Sequence, residues 1–183
     1  MRKTSIYLIA AMAIAGVTLQ SCEKIKDAIF NAFSAQGADV NFVIPAIPDT
    51  TTTGTLGSQT AYFDLDSTVK AHTANQFSID DVNTVSPDSI ILTLANADSS
   101  NNMSNFESGQ LSFYSDANTT PVNFNFTVPD VYATSFVVPV DQSLNLKSYM
   151  TGSNYTYTLK GKLRRATTHD LDCNAKIKFK IDD

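Results

Sequence analysis

The sequence predicts an all-β protein, an antiparallel sandwich of about eight strands with one or two short helices. Three observations predict it. Ser, Thr and Asn supply 53 of the 183 residues, an excess that suits turns and strands rather than the Ala/Glu/Lys/Leu-rich helices of a bundle. The acids are 16 Asp and only 2 Glu, and Asp favours loops and caps where Glu favours helix interiors. From residue 38 onward, apolar side chains recur at every second position in short runs broken by turn residues.

The first 21 residues have a different character. Arg2 and Lys3 precede an apolar run from Ile6 to Val17. As a helix this run spans about 18 Å, short of a hydrocarbon core of about 30 Å, so a secretory h-region fits it better than a permanent span. Leu19-Gln20-Ser21-Cys22 follows. It resembles the lipobox of bacterial lipoproteins, in which a Leu and small residues precede an invariant Cys. The resemblance implies that residues 1–21 are a signal peptide cut by signal peptidase II. It also implies that Cys22 is the lipidation site and first residue of the mature chain, carrying a thioether-linked diacylglycerol and an acylated N-terminus, palmitate among its chains. Each buried CH₂ contributes about 0.8 kcal/mol, so several chains on one Cys anchor firmly. The expected address is the cell envelope, at the outer membrane, on its periplasmic or its outer side.

Residues 22–37 read as a lipidated tether. Ile25, Ile29 and Phe33 recur every four residues, a short amphipathic helical stripe that lies on the membrane or packs on the domain. Residues 38–183 read as the sandwich. Val40, Phe42 and Ile44 alternate in a first strand ended by Pro45 and Pro48. Residues 48–58 read as a polar loop, and Thr60 to Leu65 as a second strand. Asp64 or Asp66 is placed to cap a helix over 64–73, with a further turn in 78–83. Ile90, Leu92 and Leu94 mark the next strand, Leu111 and Phe113 another. Val122, Phe124, Phe126 and Val128 alternate with Asn123, Asn125 and Thr127 in a clean two-sided pattern. Phe136, Val138 and Val140 follow, then a helical turn within 142–150. Tyr155 to Leu163 and Cys173 to Ile181 are the last two strands. Helix-length crossovers are few, which favours an immunoglobulin-like or similar Greek-key arrangement over a parallel sheet.

Residues 60–183, with FDLDSTVK, SIDDVNTV, NNMSNFESGQLSFYS and KLRRATTHDLDCNAKIKFKI, are similar to small β-sandwich lipoproteins of Gram-negative bacteria. That group has no assigned activity, so the resemblance implies a fold and no catalytic residues.

Charge placement is the most distinctive chemical feature. From residue 22 on, 11 Lys and Arg face 18 Asp and Glu, too acidic for general nucleic-acid binding. Seven of the 11 cations fall in the last two strands and the link between them. Lys160, Lys162 and Arg164 share one face of the penultimate strand, with Arg165 following; Lys176, Lys178 and Lys180 share one face of the last. Paired as a hairpin, these strands would present a basic stripe for an anionic envelope polysaccharide or protein. Equally, Lys on a sheet face solubilises it and guards its edge.

Other constellations are weaker. Asp64/Asp66, Asp80/Asp81 and the stretch 98–102 invite calcium, but none matches a calcium-loop spacing and turn formation accounts for Asp equally well. Cys173 is left without a partner and sits on the apolar side of its strand, as a small hydrophobe. His72 and His169 are far apart in sequence. No HExxH, GxSxG or P-loop occurs, so neither an enzyme nor a cofactor is predicted. Tyr62, Tyr114, Tyr132 and Tyr149 lie off the core stripes, as rim residues or as an aromatic platform for glycan. The triplets Asp49-Thr50-Thr51, Asp66-Ser67-Thr68 and Asp88-Ser89-Ile90 resemble envelope O-glycosylation acceptors, a pattern that an Asp/Ser/Thr-rich chain also produces by chance. The expected role is a non-catalytic structural or interaction module anchored through Cys22. The alternative is a glycan-binding surface lipoprotein of a nutrient-uptake system.

Overall fold

A computed structural model describes Phe30 to Asp182. Residues 1–21, read above as a signal peptide, and Cys22, Ile25 and Ile29 lie outside the described residues. Among the described residues, no helix is long and apolar enough to cross a membrane.

Nine strands form: β1 Phe33–Gln36, β2 Val40–Ile44, β3 Thr53–Tyr62, β4 Thr84–Leu94, β5 Phe106–Ser115, β6 Val122–Thr127, β7 Ser135–Val138, β8 Asn154–Leu163 and β9 Leu171–Asp182. Two short helices, α1 Leu65–His72 and α2 Lys147–Met150, join them. All pairings are antiparallel. Sheet A has the order β1-β9-β4-β7, with β2 pairing the other half of β9's edge; sheet B has the order β3-β8-β5-β6. The result is the antiparallel all-β sandwich with short helices that the sequence predicts. Its strand order refines the immunoglobulin-like expectation. From β2 to β9 the chain places 2-9-4-7 against 3-8-5-6, the double Greek key of a jelly roll.

The alternating residues account for the core. Phe42, Phe113, Tyr155, Tyr157 and Phe179 are fully buried between the sheets. Tyr155 Oη donates to the Gly152 carbonyl oxygen at 2.8 Å, giving its buried hydroxyl a partner. Gly161 and Gly109 sit side by side across β8 and β5. A Cβ on Gly109 would overlap the Phe126 ring, and one on Gly161 would come within 2.7 Å of Leu56 Cδ1. Phe126 and Leu56 thus fill what two side chains would otherwise occupy. A remaining apolar cavity of about 20 Å³ between the sheets has room for no more than a water molecule.

Two local expectations are corrected. Phe33, placed on a helical stripe, begins strand β1 and lies opposite Ile181 of β9. Sheet A therefore includes residues assigned to the tether. Thr53 to Ser58, read as loop, belongs to β3, with a bulge at Leu56 between Thr55 and Gly57. At one end of the sandwich, Phe30 is buried with its ring 5.4 Å from Phe77 and 6.2 Å from Phe33.

Candidate functional site

β8 and β9 do not form a hairpin. β8 lies inside sheet B and β9 inside sheet A, so the two basic clusters are on opposite outer faces of the sandwich. The single basic stripe expected from their sequence spacing does not exist. The link from β8 to β9 crosses from sheet B to sheet A.

On sheet A, Lys176, Lys178 and Lys180 are exposed and alternate with buried Ile177, Phe179 and Ile181. Alternate residues on a strand are about 6.6 Å apart, so the three ammonium groups form a line. Their cross-strand partners are neutral: Ile91 for Lys176, Gln36 and Ser89 for Lys178, Ser34 and Ser86 for Lys180. Lys180 is 3.4 Å from Asp182, while Lys176 and Lys178 have no ion pair among the described residues. Exposed Val43 and Val137 share this face, so it is basic without being wholly polar.

The β8 cluster is divided. Lys160 is exposed, with no ion pair among the described residues. Lys162 Nζ lies 2.9 Å from Glu107 Oε2. Arg164, expected on a binding face, is instead a structural clamp. Its guanidinium donates to the carbonyl oxygens of Ser104 at 2.9 Å, Phe106 at 3.0 Å and Val128 at 2.9 Å. Arg165 donates to the Ser104 carbonyl and pairs with Asp130. These contacts belong to a buried polar network at the end of the sandwich away from Phe30. There Asn105 donates to the carbonyls of Ser100 and Ala166 and its own carbonyl accepts from the Arg164 and Arg165 N–H groups. This network ties the loops at that end to one another through their backbone carbonyls.

The rest of sheet B's outer face was not foreseen. The register sets Thr53, Lys162, Ser108 and Thr127 in one row across four strands, and Thr55, Lys160, Gln110 and Asn125 in the next. Ser58, Thr158, Ser112 and Asn123 form a third row. Thr60, Thr156 and Tyr114 form a fourth, with Tyr62 opposite Asn154 beyond it. Gln110 Nε2 donates to Asn125 Oδ1 at 2.8 Å, and the hydroxyl pairs Ser58–Thr158 and Thr60–Thr156 stand at 3.2 and 3.1 Å. A cleft of about 550 Å³ lies over the first two rows, bounded by Pro139. The missed signal was the outward positions of four strands compared together; each strand alone shows only ordinary polar alternation.

The remaining candidates resolve into local structure. Asp64 caps α1, accepting from the Ser67 N–H at 3.0 Å and its hydroxyl at 2.7 Å, and these bonds hold its carboxyl below the ordinary range. Asp66 pairs with Lys70 and accepts from the Ile79 N–H; the Lys70 bond is the main cause of its lowered pKa. Asp81 accepts from the Ser78 N–H at the start of a single 3-10 turn, Ile79–Asp81. Asp98 accepts from the N–H groups of Ser100 and Asn101, which lower its pKa. Among the described residues no three His, Cys, Asp or Glu side chains converge on a metal position. His72 stacks on Phe33 at 3.8 Å, and His169 Nδ1 is 3.9 Å from Asp98 Oδ2. Cys173 is buried, and burial pushes its thiol up to about 12. Tyr149 packs edge-on against Phe113 and Tyr132 stands exposed in the β6–β7 loop, so only Tyr62 and Tyr114 share a face. Of the acceptor triplets, Ser67 is tied to Asp64 and Ser89 opposes Lys178, while at Asp49-Thr50-Thr51 the hydroxyl bonded to Asp49 is that of Thr51, the residue after the acceptor position.

No protein-family model and no curated protein matches the chain. Among solved structures it is similar to "Structure of infectious bursal disease virus Gx strain", at 10% identity and a TM-score of 0.26. That similarity covers 82% of this chain and 41% of the viral one.

Proposed function

We propose that this chain is a membrane-anchored cell-envelope lipoprotein whose jelly-roll body is a non-catalytic interaction module. Cys22 carries the anchor. Seven residues lie between it and Phe30, and eight steps of at most about 3.6 Å hold Phe30 within about 30 Å of the anchored Cys. The carrying observation for the interaction role is the line of Lys176, Lys178 and Lys180 on an exposed face of sheet A. Three aligned ammonium groups, of which Lys180 alone has a carboxylate partner among the described residues, attract an anionic polymer or membrane surface, within a body of net negative charge. Of the six cations read from the sequence as a binding face, these three serve that role. Lys162 and Arg164 are engaged within the fold.

A second reading, glycan binding, is favoured by the hydroxyl- and amide-rich face of sheet B with Tyr62 and Tyr114.

The test of the first reading is association of a soluble Cys22→Ala version with vesicles containing phosphatidylglycerol. Binding is expected to weaken as salt rises and to fall at least tenfold when Lys176, Lys178 and Lys180 become Gln. Binding that ignores both salt and these substitutions refutes a role for the basic line.

A further inference from the structure

We infer that the cleft on the outer face of sheet B binds an acidic glycan, with Lys160 taking a sugar carboxylate. The inference rests on the glycan reading above and names its ligand class.

The chemistry of the floor selects the ligand. Thr53, Ser108, Gln110, Asn125 and Thr127 line the cleft around Lys160, together with Gly109, Phe126 and Pro139. Hydroxyls and primary amides each donate and accept, as sugar hydroxyls do. Phe126 and Pro139 add apolar surface beside these polar groups, as a sugar's C–H face needs, and about 550 Å³ is a ligand-sized volume. The charge count narrows the class further. Lys162 is held by Glu107, which leaves Lys160 as the cleft's one free cation among the described residues. A polyphosphate or nucleic acid needs several neutralising cations, whereas one ammonium in a field of neutral donors suits an occasional carboxylate on a sugar chain.

Geometry supports an extended occupant. The same face runs on through the Ser58–Thr158 and Thr60–Thr156 hydroxyl pairs to Tyr114 and Tyr62. At about 3.3 Å per residue, Tyr62 stands about 20 Å from Thr55, room for several sugars. Tyr62 is 66% exposed and gives an apolar ring face for a pyranose, with a hydroxyl at its tip. The Gln110–Asn125 bond and the hydroxyl pairs order the floor before any ligand arrives, which lowers the entropic cost of binding. Finally, the cleft is at the strand ends remote from Phe30, where the described chain begins.

The experiment is isothermal titration of the full-length product, purified in neutral detergent, with oligogalacturonate, oligomannuronate and hyaluronan hexasaccharides, and with maltohexaose as the neutral control. At least one uronate oligomer is expected to bind, maltohexaose at least tenfold more weakly. Lys160→Gln and Asn125→Ala, both at exposed positions, are each expected to weaken uronate binding at least tenfold. The triple Gln variant at 176, 178 and 180 is expected to leave it unchanged. Failure of all three uronates to bind overturns the inference, as does binding that survives Lys160→Gln. If instead the sheet A variant abolishes uronate binding, this cleft is wrong and the basic line of sheet A is the glycan site. If vesicle binding persists while no uronate binds, the anchored-module reading stands without this cleft.

Discussion

Residues that look alike in the sequence do different work. Arg164 and Lys176 were both read as members of a basic face. Arg164 satisfies three carbonyl oxygens at loop ends, whereas Lys176 points to solvent. Arg164→Ala is expected to destabilise the fold by about 2 kcal/mol, because it strips hydrogen bonds from partly buried acceptors. Lys176→Gln should stay within about 0.5 kcal/mol. Chemical denaturation of both variants checks the contrast; equal stability would remove the clamp. Cys173 offers a second check. With its thiol pushed up to about 12 by burial, it is expected to resist a thiol reagent at neutral pH in the folded protein and to react on unfolding. Fast labelling of the native state would show the site open.

At the scale of elements, alternation told which side chains point inward but not which sheet each strand joins. Both outer faces of a sandwich are polar, so β8 and β9 carry the same signature in different sheets. Sheet membership is set by pairing across long stretches of chain, such as Ile91 with Lys176, and no local period records it. The first half of β3 lacks that signature for another reason: its inward positions include Gly54 and Gly57, leaving only the bulged Leu56 as a strong apolar marker. The helical reading of Phe33 arose because a spacing of four fits a period of 3.6 and a period of two alike. Asp64 as the cap of α1 was legible because Asp before a helix has a local mechanism, and it forms. The glycine pair of sheet B yields a prediction. Gly109→Val is expected to cost about 1–3 kcal/mol, since its side chain must displace the Phe126 ring. A variant as stable as the parent would mean that Phe126 moves freely.

At the scale of the molecule, one end of the jelly roll receives the chain at Phe30 and the other carries the loops pinned by Asn101, Asn105, Arg164 and Arg165. Those loops and caps draw on carboxylates. Donors from Ser67, Ser100 with Asn101, Asn154 and Ser143 hold Asp64, Asp98, Asp116 and Asp141 below the ordinary carboxylate range. The folded state therefore binds these protons less tightly than the unfolded chain. Their contribution is complete above the unfolded pKa and is lost as pH falls through the folded values. Tm is expected to be nearly flat from about pH 7 to 5 and to drop below about pH 4. A Tm that rises on acidification would contradict this origin.

The anchored-module account depends most on the chemistry of Cys22, and the intact mass of the N-terminal peptide from the native host tests it. The account predicts a peptide beginning at Cys22 and heavier by a diacylglyceryl group and an N-linked acyl chain. A peptide beginning at Met1, or an unmodified thiol at position 22, would contradict it.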